Sequence, residues 1–377
     1  MLTSSFRVAR IAGIEVRVHV TFGLIILLGA FQWGIPYGAP GALFGAILMA
    51  LLFFCVVLHE LGHSLVARAF GVGVHDITLY PIGGIARMEK NPETPLHEFL
   101  IAGTGPLVNF VIALALWGVP GVASALGKLD AAATLKSLTP GAETALVWLL
   151  LSNLFLALFN LIPAFPMDGG RMLRAILTAV YGFQEATRIA AGVGRFLAVV
   201  LGLFGILTGN FLLALVALFI FMGASQERAA EQARVVLGTL KVGDAYNKNA
   251  ITLAPGTYVS QVVDHILTSH QRDFAVMQGS ALVGVVTRDD ILKSLATELG
   301  DAWVTGIMKR DVLRVDAGLT LEEVREKLTE AAQRVAAVYR SETYLGLISA
   351  EDIAEALVVI SFRAAHDARR AAAERTV

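Results

Sequence analysis

Sulfur and charge are what this chain has least of. A single cysteine, Cys55, stands among 377 residues, so no disulfide can form within the chain and the redox compartment stays open. Charged residues make up only 16% of the sequence, against about 25% in an average soluble domain. With 56% hydrophobic residues and a mean hydropathy of +0.67, that shortfall excludes an ordinary soluble enzyme for the chain as a whole. There is no basic excess either: the formal net charge is -1, so no nucleic-acid partner is expected. The amino terminus has no short apolar core followed by a small-residue cleavage site, so no cleavable signal peptide is expected. The length suggests two or three domains.

What is plentiful is long apolar sequence. Runs cover residues 20 to about 37, 42 to about 70, 99 to 117 and 145 to 162. Two more, about 196–207 and 211–222, are short for a span of about 20 residues. The first of these lengthens toward residue 189 only if Arg195 snorkels or is paired. Six spans are expected in the lipid bilayer. Arg7, Arg10 and Arg17 precede the first, and further cations crowd the stretch around Arg87 and Lys90, a loop at 171–195 and the segment after 226. The 119–142 loop has only Lys128 and Lys136. That bias predicts a multi-pass cell-membrane protein with both termini in the cytoplasm. Residues 1–18 alternate apolar and polar positions, as a half-buried strand does. Residues 71–90 read as a short hairpin with Gly83 and Gly84 in or near its turn. Its edge is either a plain connection or a place where an extended peptide pairs through its backbone.

Inside the second run, His59, Glu60 and His63 form an H-E-x-x-H pattern. On a helix, positions i and i+4 share a face, so both imidazoles can grip one Zn²⁺. Glu60 would then reach a water polarised by the metal, as general base. In a surface helix the pattern means little. Within an apolar run, ionisable side chains cost several kcal/mol, about 3 each at mid-span, and a functional site is the default explanation. A catalytic zinc site wants three protein ligands and an open position. Asp168 is the candidate third, held after the fourth run by Pro163 and Pro166, with the Gly169-Gly170 pair allowing a tight turn behind it. The alternative is a turn or cap residue, which aspartate favours. Cys55, one turn before His59, reads as a small packed residue rather than a ligand. In the third run, Gly103, Gly105 and Pro106 permit close helix approach, and the spacing favours Asn109 as interhelical glue over a substrate contact.

After Ser225 the composition turns polar. Residues 225–239 read as an amphipathic linker helix, and 240–362 as a soluble domain holding two copies of one unit, at about 240–297 and 302–360. Gly284 matches Gly346, Thr287 matches Ser349 and Asp290 matches Asp352, an offset of 62 throughout. Each unit reads as strand, helix, two strands, helix, and such copies are expected to pack on each other. Residues 363–377 form a charged tail, helical or frayed.

The combination of His59-Glu60-x-x-His63, Gly105-Pro106-Leu107-Val108-Asn109 and Asn160 through Asp168-Gly169-Gly170-Arg171 resembles the site-2 protease family. These are zinc intramembrane metalloproteases, and the likeness is to the prokaryotic branch with a carboxy-terminal pair of CBS modules. It covers essentially the whole chain. It implies a helical polytopic membrane domain over 1–224, with a short β-hairpin near the active site, followed by a soluble α/β CBS pair. It implies one Zn²⁺ on His59, His63 and Asp168, Glu60 as base, and Asn109 and Asn160 as substrate-positioning residues. The reaction implied is hydrolysis of a peptide bond in or near a transmembrane helix of a membrane protein, with Gly83 and Gly84 in a clamp for the unwound segment. The 119–142 loop is too short to hold the PDZ module usual in the family. In CBS modules the matching hydroxyl and carboxylate hold the ribose of an adenosine nucleotide. Thr287 with Asp290, and Ser349 with Asp352, are thus candidate sites for ATP, ADP or AMP. Locally the same residues serve as helix caps, and the pair could equally act as a homodimerisation module. Two other readings are a CBS-regulated metal-ion transporter, which needs polar residues along a continuous path, and an inactive membrane scaffold, which should lack Glu60 or Asp168.

Overall fold

A computed structural model describes residues 5–374 apart from 82, 89–91, 93, 123–138, 249, 270 and 297–300. Most of the expected 119–142 loop, with Lys128 and Lys136, and Lys90 lie outside the described residues. The chain divides into two units, Met1–Ala229 and Ala230–Val377.

The first unit is built on α1 (Gly23–Ala69), entered through a 3-10 turn at Val20–Phe22. Its 47 residues are two antiparallel arms, because the backbone at Gly38 leaves the helical region (φ 64°, ψ −153°) between Pro36 and Pro40. Only glycine adopts such a conformation without strain. The arms touch through backbone: a Cβ on Gly45 would lie 2.0 Å from the Gly29 carbonyl oxygen. Next come α2 (Pro95–Trp117), α3 (Ala142–Asn160), α4 (Asp168–Tyr181), α5 (Phe183–Leu207) and α6 (Phe211–Thr239). Five of these helices are long and apolar enough to cross a membrane. Counting α1 as two arms, the expected six spans are present among the described residues.

Three local expectations need correction. The stretch 171–195 is not a loop. It forms α4 and the first half of α5, separated only at Gly182, since a run of arginines on one side of an amphipathic helix looks like polar loop when read linearly. Gly169 and Gly170 are not a turn: they lie in the first turn of α4, where Cβ atoms would come within 2.4 Å of the Ile162 oxygen and 2.6 Å of the Ala164 carbonyl carbon. Residues 1–18 hold two strands, β1 (Ser5–Ile11) and β2 (Ile14–His19), reversing at Ala12 and Gly13, both with positive φ.

With β3 (Val74–Tyr80) and β4 (Gly83–Met88), these strands make a sheet of order β1-β2-β3-β4, β2 and β3 parallel and the other pairs antiparallel. The expected 71–90 hairpin is β3–β4, and β4 ends the sheet. Alternation places Ile14, Val16, Ile77 and Leu79 on one face, buried against Phe53, Val57 and Leu61 of α1. Arg87 stitches the hairpin by two hydrogen bonds to Asp76, 2.5 and 2.7 Å. A sheet thus lies along the histidine-bearing arm.

In the second unit each copy has the expected order: α7 (Val242–Ala245), β5 (Thr252–Leu253), α8 (Val259–Ser269), β6 (Asp273–Gln278), β7 (Ala281–Thr287) and α9 (Arg288–Ala296), then α10 (Val304–Ile307), β8 (Leu313–Asp316), α11 (Leu321–Glu330), β9 (Val335–Arg340), β10 (Thr343–Ser349) and α12 (Ala350–Glu374). The short opening helices are exchanged. Val242 packs in the core with Val315, Leu321 and Ile348 of the second copy, and Val304 packs with Val259, Phe274 and Val286 of the first. The two sheets then bury Ala275 and Val285 against Ala337 and Leu347. The 225–239 linker is the continuation of α6, and the tail remains helical to Glu374.

Candidate metal centre

The second arm of α1 is helical through 59–63, so the two histidines lie one turn apart, both buried. Their Nε2 atoms are 3.1 Å apart, and Asp168 Oδ2 lies 3.3 Å from each. Asp168 reaches them from the first turn of α4. The chain between α3 and α4 is held below it: Ala164 and Met167 pack with Ala198 and Ile220 of α5 and α6. His63 Nδ1 donates to the Ile101 carbonyl of α2, 2.6 Å, which leaves its Nε2 with a lone pair facing the other two donors. The three atoms form a nearly equilateral triangle whose centre is about 1.9 Å from each corner, close to the roughly 2.0–2.1 Å of zinc bonds to imidazole and carboxylate. Two imidazoles and one carboxylate are also a donor set of catalytic zinc. The residues fit Zn²⁺, and the same three form the metal-capable group among the described residues. Cys55 is buried and stands outside that group.

α2 closes the opposite side of the two imidazoles with backbone. A Cβ on Gly105 would lie 2.2 Å from His63 Nε2 and 2.6 Å from His59 Cε1. No side chain fits there while both rings hold their positions. The sequence places Gly105 in a close-packing stretch and in the Gly105–Asn109 motif of the family resemblance, and nothing in its spacing marks the rings it faces. One turn on, Asn109 is 1% exposed, and its Oδ1 has no hydrogen-bond partner among the described residues. A buried carbonyl oxygen in that state costs about 1–3 kcal/mol, which argues against simple glue. Asn160 is the last residue of α3, half-buried.

Glu60 follows His59 and meets the sheet. A Cβ on Gly84 would lie 2.5 Å from Glu60 Cγ and 3.3 Å from its Oε1, so the β4 backbone runs directly over the acid. Gly83 opens that strand with φ 141°, a conformation reserved to glycine. Of the two glycines expected at the hairpin turn, Gly84 lies against the Glu60 side chain, and Gly83 opens the end strand of the sheet beside it.

A second buried cluster escaped the sequence altogether. Arg174 of α4 donates to Glu98 of α2, 2.8 Å from Nε, and to Glu227 of α6, with its guanidinium 5.1 and 4.8 Å from the ring centres of Phe165 and Phe183. It ties the helix that carries Asp168 to two neighbours.

In the second unit the copies' motif residues cap helices. Thr287 Oγ1 donates to Asp290 Oδ2 (2.6 Å), and Ser349 Oγ to Asp352 Oδ2 (2.8 Å), each acid's backbone N–H returning to the hydroxyl. Two cavities of about 660 and 670 Å³ open beside them. Thr287 lines the first, and Ser349 and Asp352 line the second. Asp290 does not line the first cavity; its carboxylate lies 3.4 Å from Nζ of Lys309, which does.

The family model described as Peptidase family M50 matches residues 47–201, and the CBS domain model matches 242–297 and 304–359. A zinc metalloprotease of Methanocaldococcus jannaschii is 34% identical over 361 residues, 95% of this chain and 98% of its own length. A relative from Synechocystis sp. is 30% identical over 94% of this chain and 96% of its own length. Among solved structures, a site-2 protease from Methanocaldococcus jannaschii is 44% identical, covering 59% of this chain and 95% of its own, with a TM-score of 0.43.

Proposed function

The chain belongs to peptidase family M50, the site-2 proteases, as a multi-pass zinc metalloprotease with a carboxy-terminal CBS pair, and from that premise we propose that it hydrolyses a peptide bond in or near a transmembrane helix of another membrane protein. The observation that carries this reading is the buried His59–His63–Asp168 triangle with Glu60 beside it and a glycine strand over that acid. His59, His63 and Asp168 would hold Zn²⁺, which would supply Lewis-acid polarisation of the scissile carbonyl and lower the pKa of water toward about 7. The Glu60 carboxylate accepts the water proton and returns it to the leaving amine nitrogen. His63 is held in one tautomer by the Ile101 carbonyl, and Gly105 keeps the backbone against both rings.

A helical substrate carbonyl is hydrogen-bonded and covered, so the segment must unwind first. The open edge of β4, at Gly83 and Gly84, takes that segment by backbone pairing, and the Asn109 Oδ1 and the Asn160 amide orient it. Water must reach the centre, so the histidines are read as sitting near the cytoplasmic membrane face rather than at mid-bilayer. The transporter and scaffold alternatives give way to the family membership and to the presence of both Glu60 and Asp168.

The test is co-expression with single-span membrane proteins, comparing wild type with Glu60→Gln by immunoblot and then with purified protein. The amide keeps the shape and cannot accept the proton, so cleavage should vanish while zinc content stays. Continued cleavage by purified, zinc-replete Glu60→Gln would sink the mechanism. The CBS pair is read as an adenine-nucleotide site that adjusts this proteolysis, supported by the cavities beside Thr287 and beside Ser349 and Asp352.

A further inference from the structure

The two cavities of the carboxy-terminal unit are near twins in volume and share Arg272, Asp273, Val335 and Glu351 in their walls. Both fall in the range of small-molecule sites, about 300–1,000 Å³. Their remaining walls carry opposite charge. The first adds Arg288, Lys293, Lys309, Arg310 and Arg334, against Asp289 and Asp311. The second adds no cation, and contributes Asp352 and Glu355. One cleft is therefore basic and the other acidic, although the repeat makes their frameworks alike.

A nucleoside di- or triphosphate carries two to four negative charges beyond its base and ribose. In a partly enclosed site of reduced dielectric, like charges a few ångströms apart cost on the order of kcal/mol each. The acidic cleft would have to hold such a group against Glu351, Asp352 and Glu355 with one arginine, Arg272. In the basic cleft the phosphates meet Arg288, which opens α9, and Arg310, both exposed.

We propose that the two clefts of the CBS pair are not equivalent: the one lined by Thr287, Arg288 and Arg310 binds the phosphorylated adenine nucleotide, and the one lined by Ser349, Asp352 and Glu355 excludes it. This rests on the nucleotide reading given above. It sets the stoichiometry at one nucleotide per chain and makes the ligand's charge, rather than the paired hydroxyl and carboxylate, the selecting feature.

The experiment is titration calorimetry of the detergent-purified full-length chain with ADP and ATP in magnesium-free buffer, at low and at raised KCl. Wild type should bind one ADP per chain, more weakly as salt rises. Arg310→Glu or Arg288→Glu should weaken it roughly tenfold, the scale of about 1.4 kcal/mol, and Glu355→Lys should leave that site's affinity within about twofold. Two equal ADP sites per chain, or one site that Glu355→Lys alters while both arginine reversals leave it untouched, would overturn the assignment and preserve the nucleotide reading. Absence of any binding of ADP or ATP to wild type would end both.

Discussion

At the scale of single residues, the centre depends on what is missing at Gly105 as much as on its ligands. A methyl group there would need to occupy the space of His63 Nε2, 2.2 Å away, and ring or backbone must move. Gly105→Ala should therefore lose most of its zinc and its cleavage activity while the helical content holds. Metal analysis of the purified variant beside its circular dichroism checks this; a zinc-replete, active Gly105→Ala would show that α2 can retreat. In the soluble unit, Asp273 is the unusual acid. Burial, and then the neighbouring carboxylates of Glu351 and Asp352, push it from 3.8 up to about 7. The folded chain thus holds that proton more tightly than the unfolded one. Its stabilisation is complete below about pH 4, drains as pH rises through about 7, and is bounded at about 4 kcal/mol, the free-energy equivalent of moving the acid from 3.8 to about 7. The transition of this unit in calorimetry of the full chain should fall between pH 5 and pH 8, and Asp273→Asn should flatten that dependence. Equal slopes for the two would assign the effect to other groups.

At the scale of elements, α4 presents Asp168 at its start and is anchored six residues later by Arg174. Glu98 and Arg174 are both buried, at 4% and 8% exposure, and the arginine is sandwiched by two aromatic rings. Breaking a buried pair by removing one partner costs about 3–5 kcal/mol, because the other charge is stranded. Arg174→Met should cost that much in thermal or denaturant unfolding, and Arg174→Met with Glu98→Gln should recover a large part. If the double variant is no better than the single one, the packing of the guanidinium on Phe165 and Phe183 matters more than its charge.

At the scale of the whole molecule, the prediction concerns topology: six apolar crossings would leave both ends of the chain on one side. By the positive-inside rule, the cations near the amino terminus, along 171–195 and after 226 would put that side in the cytoplasm. Cysteine labelling or reporter fusions should find 119–142 outside, and 171–195 and 226–377 inside. An extracytoplasmic carboxy terminus would remove this arrangement and the supply of cytoplasmic nucleotide to the CBS pair with it.

Much of this was legible in the linear sequence, for definite physical reasons. Helical period alone puts His59 and His63 on one face, an apolar run makes their charge meaningful, and the offset of 62 exposes the duplicated unit. The strand–helix–strand–strand–helix order follows from short periodic patterns that need no partner to be read. Other features depend on contacts between distant positions. Arg174 meets Glu98 from 76 residues away, so a buried clamp looks like one more cation in a polar stretch. Gly105 and Gly84 look like any packing or turn glycine until the imidazoles and Glu60 are set against them. The exchange of Val242 and Val304 between the two copies leaves no trace in either pattern, because an apolar residue records that it is buried and not against whom. The contrast between the two clefts arises the same way: the residues are plain in the sequence, and only folding sorts them onto opposite walls.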